Sequence, residues 1–491
     1  MQRKFITNLG FLLLLNLLIK PFWIFGIDRT VQNVVGAENF GFYFIAFNFS
    51  FLFNILFDFG ITNFNNRNIA QNTQLLNKHF SSIVVLKFLL AAVYFIVTFT
   101  AGIIWGFRGD ELWMLALLGL NQFFISFILY LRSNISALLF FKTDSILSVL
   151  DRILMIVFCS ILLWGNITDQ KFRIEWFVYA QTVSYLLTTI VAFLIVVRKA
   201  SFRKLNWNFP FFLMIIKQSL PFAILVLLMT FYNRVDTVML KGLLPGNAGN
   251  IQAGIYAHAF RLLDALNNIA YLFSVLLLPL FARQIKIGEK VEKLVVLSFT
   301  LLFVVAVIIS VTSAYYSHEL MDLMYFDHID ESANVFKVLM GCFIATSTTY
   351  IFGTLLTANG NLKYLNLVAA GGMLLNIVLN IFLIPVYGSL GSAWASLITQ
   401  SVMAVVQLFL AVYLFKFRLN VLFVTKIIVF FAGIILINKY IPLLGLPWIK
   451  SMGVALAVSV LLALFLQLFN LRSFIKLFLS ETQPSATKNQ P

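Results

Sequence analysis

Charge is what this sequence has least of. Asp, Glu, Lys and Arg make up only 11% of its 491 residues, where soluble domains carry about 25%. Hydrophobic residues make up 61%, against roughly 45–50% in soluble domains, and together the two figures exclude a chain dissolved in water. Polar linkers are missing too, so the length does not divide into the two to four soluble domains it would otherwise imply. The two cysteines, Cys159 and Cys342, both sit inside apolar runs, which excludes a disulfide framework or a cysteine metal cluster. Of the four histidines, His318 and His328 have acids nearby, but with neither metal-ligand nor triad spacing. No catalytic residue, metal site or cofactor is therefore assigned. The net charge of +16 raises nucleic acid as a partner, but the basic residues lie in short loops between apolar runs and form no stripe, so none is expected.

What is present is a series of long apolar runs. A membrane helix needs about 20 mostly apolar residues, and fourteen stretches qualify: 8–27, 40–60, 81–105, 111–131, 144–164, 174–197, 211–240, 252–281, 294–314, 334–357, 362–384, 390–415, 420–437 and 451–470. The first is read as a retained span, because it lacks a small-residue cleavage site and many spans follow it. With the N-terminus placed in the cytoplasm, the inside loops and tails hold 21 Lys and Arg and the outside loops 8. That excess puts both termini inside. The longest outside loop, "YYSHELMDLMYFDHIDES", has no Lys or Arg.

The chain also repeats itself. "GFYFIAF" at 41–47 and "GIYAHAF" at 254–260 share Gly-x-Tyr-x-x-Ala-Phe, and "IDRTV" at 27–31 and "VDTV" at 235–238 stand upstream of the two copies. Both copies open an out-to-in span, the second and the eighth. Six spans between them give the copies one orientation, as in a parallel repeat of two six-helix halves. The expected organisation is an N-terminal lobe over 1–200, a second lobe over 205–415, two additional helices over 416–475 and a cytoplasmic tail over 476–491.

Two lobes facing each other suggest a transporter with a cleft between them. Charges deep in the bilayer are costly and face cavities. Lys20, followed by Pro21, lies about 18 Å into the first span and Arg261 about 14 Å into the eighth, at 1.5 Å per residue. His258 and Asp264 flank Arg261 at i−3 and i+3, on one helical face. Arg152, beside Asp151, lies at similar depth in the fifth span, and Arg234 and Asp236 lie near the outer end of the seventh. Lys217 and Lys337 are near span ends and are read as snorkelling. Asn376 and Asn380, at i and i+4, suit hydrogen bonding between helices, with Asn376 also a candidate substrate contact. Asp58, Asp236 and Asp264 are the candidate cation-coupling carboxylates. A cleft with several cations and few acids suits an anionic head group on a greasy tail, and arginine holds phosphate through a two-pronged contact. A cavity residue adds little packing, so Arg261→Ala is expected to leave the protein's abundance normal.

Here the sequence resembles a known family. The stretch from "QSLPFAILVLLMTFYNRVDTVMLKGLLP" through "GIYAHAFRLLDALNN" to "LLLPLFARQ" is similar to the central segment of the Wzx-type polysaccharide flippases of the multidrug/oligosaccharidyl-lipid/polysaccharide (MOP) exporter superfamily. The residues that carry the likeness are Pro221, Asp236 to Met239, Gly254, Tyr256, Arg261, Leu262 and Pro279. "LLTANGNLKYLNLVAAGGMLLNIVLNIFLIPVYGSLGSAWASLITQ" resembles the family's eleventh and twelfth spans, and "VVGAENFGFYFIAF" is a third match. The resemblance covers about the first 415 residues. It implies an all-helical exporter of about 14 spans that moves an undecaprenyl-pyrophosphate-linked oligosaccharide between leaflets of the bacterial inner membrane, for O-antigen, capsule or exopolysaccharide synthesis. The implied partners are the lipid-linked substrate, membrane lipid, and a polysaccharide polymerase with its chain-length machinery. In related lipid II flippases, cations on the first and eighth helices line the cavity; Lys20 and Arg261 fall there by position. A lipid II flippase or multidrug exporter of the same superfamily is the alternative, and a membrane-embedded glycosyltransferase or polymerase comes after these.

Overall fold

The computed structural model describes residues 15, 18, 19, 21–62, 65, 69, 74–138, 140–165, 170–199, 207–417 and 420–468. Among them there is no strand. After a π-helical stretch, Phe22–Asp28, the helices are α1 (Arg29–Leu52), α2 (Leu75–Ile104), α3 (Asp110–Ala137), α4 (Phe141–Trp164), α5 (Ile174–Val197), α6 (Phe209–Leu243), α7 (Ala248–Lys286), α8 (Glu292–Tyr315), α9 (Ser317–Met324), α10 (Ile329–Ala358), α11 (Leu362–Phe415), α12 (Val421–Tyr440) and α13 (Trp448–Phe465). Ten helices among the described residues are long and apolar enough to cross a membrane. The chain is an all-helical, multi-pass membrane protein.

Two helices are each two spans in one. α1 breaks at Gly36, so residues 22–35 finish the first span and 37–52 begin the second. α11 breaks at Gly388 (φ 56°, ψ −132°), three residues after Pro385. Pro385 removes one rung of the hydrogen-bond ladder, and the positive φ at residue 388 favours glycine. The break is re-satisfied from α7: the Gln252 side-chain oxygen accepts from the Ser389 amide (2.8 Å) and from the Ser389 hydroxyl (2.6 Å). The two arms of α11 correspond to the expected spans 362–384 and 390–415. Most of the expected first span, 8–27, lies outside the described residues. α1 and α7 are absent from the ten apolar helices, and they carry Gln32, His258, Arg261 and Asp264.

α1 to α5 pack among themselves, as do α6 to α11; α12 and α13 pack on α8 and on each other. The two groups meet where α1 lies along α6 and α7. At that crossing the two copies of the repeated motif touch. A Cβ on Gly41 would fall on the carbonyl oxygen of Asn250, and one on Gly254 on that of Ala37. Each glycine thus meets the residue four before the other, a reciprocal contact that only glycine permits at this approach. Beyond it, the Arg29 guanidinium donates to the carbonyls of Met324 (2.7 Å) and Leu323 (2.6 Å), the last of α9, and Asn33 donates to Met324 (2.9 Å). Lys241 of α6 pairs with Glu111 of α3.

Candidate substrate cavity

Two chambers adjoin where the groups meet, the first between them and the second mostly within α6 to α11. The first, about 290 Å³, is bounded among others by Trp23, Tyr43, Arg152, Tyr185, Arg234 and Arg261. The second, about 480 Å³, is bounded by residues of α6, α7, α10 and the second arm of α11. Phe51, Arg234 and Asp264 belong to both walls.

Arg261 projects from α7 into the first chamber. Its Nη2 donates to Asp28 Oδ1 at 2.9 Å, across 233 residues of sequence. Asp28 is 1% exposed and also accepts from Gln32 Nε2 at 2.7 Å. The guanidinium lies over the rings of Phe44 and Phe40, 5.6 and 5.8 Å from their centroids. Its Nε is buried with no hydrogen-bond partner among the described residues. Guanidinium has five N–H donors in a fixed plane; Asp28 takes one of them, and the exposed part of the group faces the chamber.

The other two arginines are built alike. Arg234 Nη2 donates to Asp264 Oδ1 at 3.0 Å, and its plane sits between Phe51 and Phe260, 5.1 Å from each ring centroid. Arg152 lies 3.7 Å from the Asp151 carboxylate and 5.5 Å from the Trp23 ring centroid. The wall of the first chamber holds three arginines and one acid, Asp264, and each arginine also has a carboxylate beside it. Pairing fixes the direction of each guanidinium and limits the excess positive charge.

The partners also differ from the expected ones. Asp264, on the same helical face as Arg261, holds Arg234 instead, and Asp28 orients Arg261. His258 does not share the chamber. Its ring is 2% exposed, stacks on Tyr325 at 4.0 Å and bonds Ser332 at 3.1 Å. Asn376, a candidate substrate contact, is fully buried and donates to Asp236 at 3.2 Å, as Asn380 does at 2.8 Å. The bonds between helices expected of this pair are present, and they close Asn376 off from either chamber. Lys20 lies outside the described residues.

Asp236 is 1% exposed and accepts further from Tyr256 Oη (3.0 Å) and Ser396 Oγ (2.5 Å). All four donors are neutral, and no cation pairs with it among the described residues. Tyr256 and Ser396 separate it from the second chamber, whose wall they form. Asp58 has another setting. Lys87 Nζ, 1% exposed, bonds it at 2.5 Å and also reaches the Phe57 carbonyl and Ser126. That pair borders neither chamber. Sequence reasoning missed both Lys87 and Asp28. "IDRTV" had set Asp28 opposite Asp236 in the repeat, which was the available signal for Asp28.

Comparison with known proteins follows from this geometry. A family model described as "Polysaccharide biosynthesis protein" matches residues 6–285. No curated protein matches the chain in sequence. Among solved structures, "Lipid II flippase MurJ, inward closed conformation" superposes with a TM-score of 0.71 at 14% identity, over 93% of this chain and 99% of that one. A multidrug resistance MATE family transporter of the MOP superfamily, in an inward-facing conformation, superposes with a TM-score of 0.62 at 13% identity, over 84% of this chain and 98% of that one. A MOP superfamily transporter from Pyrococcus furiosus gives 0.57 at 15% identity, over 83% and 93%. At these identities the likeness is one of fold.

Proposed function

The chain belongs to the polysaccharide biosynthesis protein family, and from that premise we propose that it flips a pyrophosphate-linked oligosaccharide lipid across the bacterial inner membrane by alternating access. Its fold and family are those of MOP transporters, not of catalytic proteins. The observation that carries the reading is Arg261: a guanidinium at membrane depth, held by Asp28 through Nη2 and still 19% exposed in the wall of the first chamber. Such a group receives a diphosphate through two parallel bonds. Arg152 and Arg234 stand in the same chamber wall and supply further donors.

Alternating access needs an interface that opens and closes. With both termini in the cytoplasm, the Arg29 contact with α9 and the Gly41–Gly254 crossing fall toward the outer side and hold it shut. Of the three carboxylates expected to couple transport to a cation, Asp58 and Asp264 are each neutralised by a basic partner. Asp236 is the coupling group in this reading, since a buried carboxylate among neutral donors gains most from a proton or a small cation. The flipped lipid then goes to the polymerase and chain-length machinery of a surface polysaccharide.

The test is export in cells whose own flippase is deleted. Arg261→Lys keeps the charge but loses the fork and is expected to impair export of surface polysaccharide, and Arg261→Ala to abolish it. Full export by Arg261→Ala at normal abundance would remove the anion anchor and with it this reading.

A further inference from the structure

The two chambers differ in chemistry. The first holds arginine guanidiniums; the second, apart from the Arg234–Asp264 pair at the shared wall, has no charged side chain in its lining. Its polar groups are hydroxyls and carboxamides. Thr346 Oγ1 donates to Asn267 Oδ1 at 2.7 Å, and Gln400 Nε2 donates to Asn233 Oδ1 at 2.6 Å. Each asparagine is thereby held through its oxygen, and among the described residues neither amide nitrogen has a protein partner. Thr349 Oγ1 is buried with no partner among the described residues. Tyr271 and Tyr350 add two aromatic faces, 6.2 Å apart at 60°. The volume of about 480 Å³ lies within the range of small-molecule sites, roughly 300–1,000 Å³.

Resting on the flippase reading above, we propose that the second chamber is a sugar subsite, selecting an uncharged, hydroxyl-rich pyranose attached directly to the pyrophosphate. Such a sugar both donates and accepts hydrogen bonds and has apolar C–H faces that pack on tyrosine rings. Partners for its hydroxyls are already placed, and an analogue without them leaves these groups unpaired. A uronic acid would bring a charge into a chamber with no free cation to meet it. Phe51, Arg234 and Asp264 border both chambers, so a diphosphate in the first and its first sugar in the second lie within the reach of one ligand.

The experiment measures binding to the purified full chain in nanodiscs. Three probes are used: undecaprenyl pyrophosphate, the same lipid bearing N-acetylglucosamine, and the same lipid bearing glucuronic acid. The wild type is expected to bind the N-acetylglucosamine form about tenfold tighter than the bare lipid, the size of one or two well-made neutral hydrogen bonds, and to gain nothing from glucuronic acid. Gln400→Leu and the near-isosteric Thr349→Val are each expected to shrink the tenfold gain by several-fold. Affinity for the bare lipid should hold in both, which also shows that the variants fold. Equal wild-type affinity with and without the neutral sugar, an equal gain from glucuronic acid, or an undiminished gain in both variants overturns the subsite. Failure of the functional reading looks different: no binding of bare undecaprenyl pyrophosphate, or binding that ignores Arg261→Ala, and the subsite then falls with it.

Discussion

Arg261→Ala separates transport from stability only if Asp28 is treated as well. In the wild type the Asp28 carboxylate is 1% exposed and has two partners, Arg261 at 2.9 Å and Gln32 at 2.7 Å. Truncating Arg261 leaves a buried anion with one neutral donor. Breaking a buried pair by removing one partner costs about 3–5 kcal/mol. The lower end applies here, because Gln32 remains and Arg261 itself is 19% exposed on the cavity side, so the expected loss is about 3 kcal/mol. That revises the expectation from sequence that a cavity arginine can be removed without consequence for abundance. Asp28→Asn on top of Arg261→Ala removes the orphaned charge and keeps an amide near Gln32. Thermal unfolding of the four purified proteins in one detergent, with export measured in cells, gives the full cycle. Expected are a clear drop in melting temperature for Arg261→Ala, recovery of most of it in the double variant, and no recovery of export. A double variant that exports normally would refute the reasoning, since Arg261 would then be a structural partner of Asp28 and no anchor for the substrate.

Other outcomes follow from the same geometry. Gly254→Leu forces α7 off the Ala37 carbonyl and is expected to abolish export and to expose cysteines placed at the α1–α7 crossing to aqueous maleimide; normal export with unchanged labelling would show that the close approach is dispensable. Arg29→Ala removes two bonds to the end of α9, and a disulfide between Asn33→Cys and Phe326→Cys should then form several-fold less readily, whereas undiminished cross-linking would show that Arg29 does not hold that contact. Lys87→Met strands Asp58 and is expected to destabilise by about 3 kcal/mol or more, with Lys87→Met/Asp58→Asn markedly less damaging; equal losses would mean the pair is not coupled. Asp236→Asn keeps a hydrogen-bonding group among Tyr256, Asn376, Asn380 and Ser396 and should leave folding intact while abolishing stimulation of transport by a proton or sodium gradient, so gradient-driven transport at the wild-type rate would exclude it as the coupling group.

The helices were legible because apolar runs of span length have few alternatives in water or lipid. The repeated motif pointed to Gly41 and Gly254, which meet at the α1–α7 crossing. What sequence reading placed as a loop between 27 and 40 is helix on both sides of Gly36, since Asp28 and Gln32 are polar residues buried against a partner and not groups turned to solvent. A hydropathy window cannot separate the two cases. Arg261 and Arg152 were found by their depth in the span, a local property. The partner of Arg261 was not: Arg261 lies nearer in sequence to Asp264 than to Asp28, but the α1–α7 crossing supplies the closer carboxylate. Lys87 was passed over for the same reason, because its acid lies in a turn 29 residues back. Asn376 was read correctly as a bond between helices; its seclusion behind Asp236 depends on packing that the i, i+4 spacing does not reveal.

The most direct measurement uses the purified chain in proteoliposomes loaded with undecaprenyl-pyrophosphate-linked N-acetylglucosamine, the sugar reached from outside only by an impermeant galactosyltransferase. The account predicts that wild-type protein makes the inner-leaflet pool of lipid available for galactosylation, and that Arg261→Ala leaves only the outer half labelled, as in protein-free vesicles. Labelling confined to the outer half with correctly folded wild-type protein would contradict it.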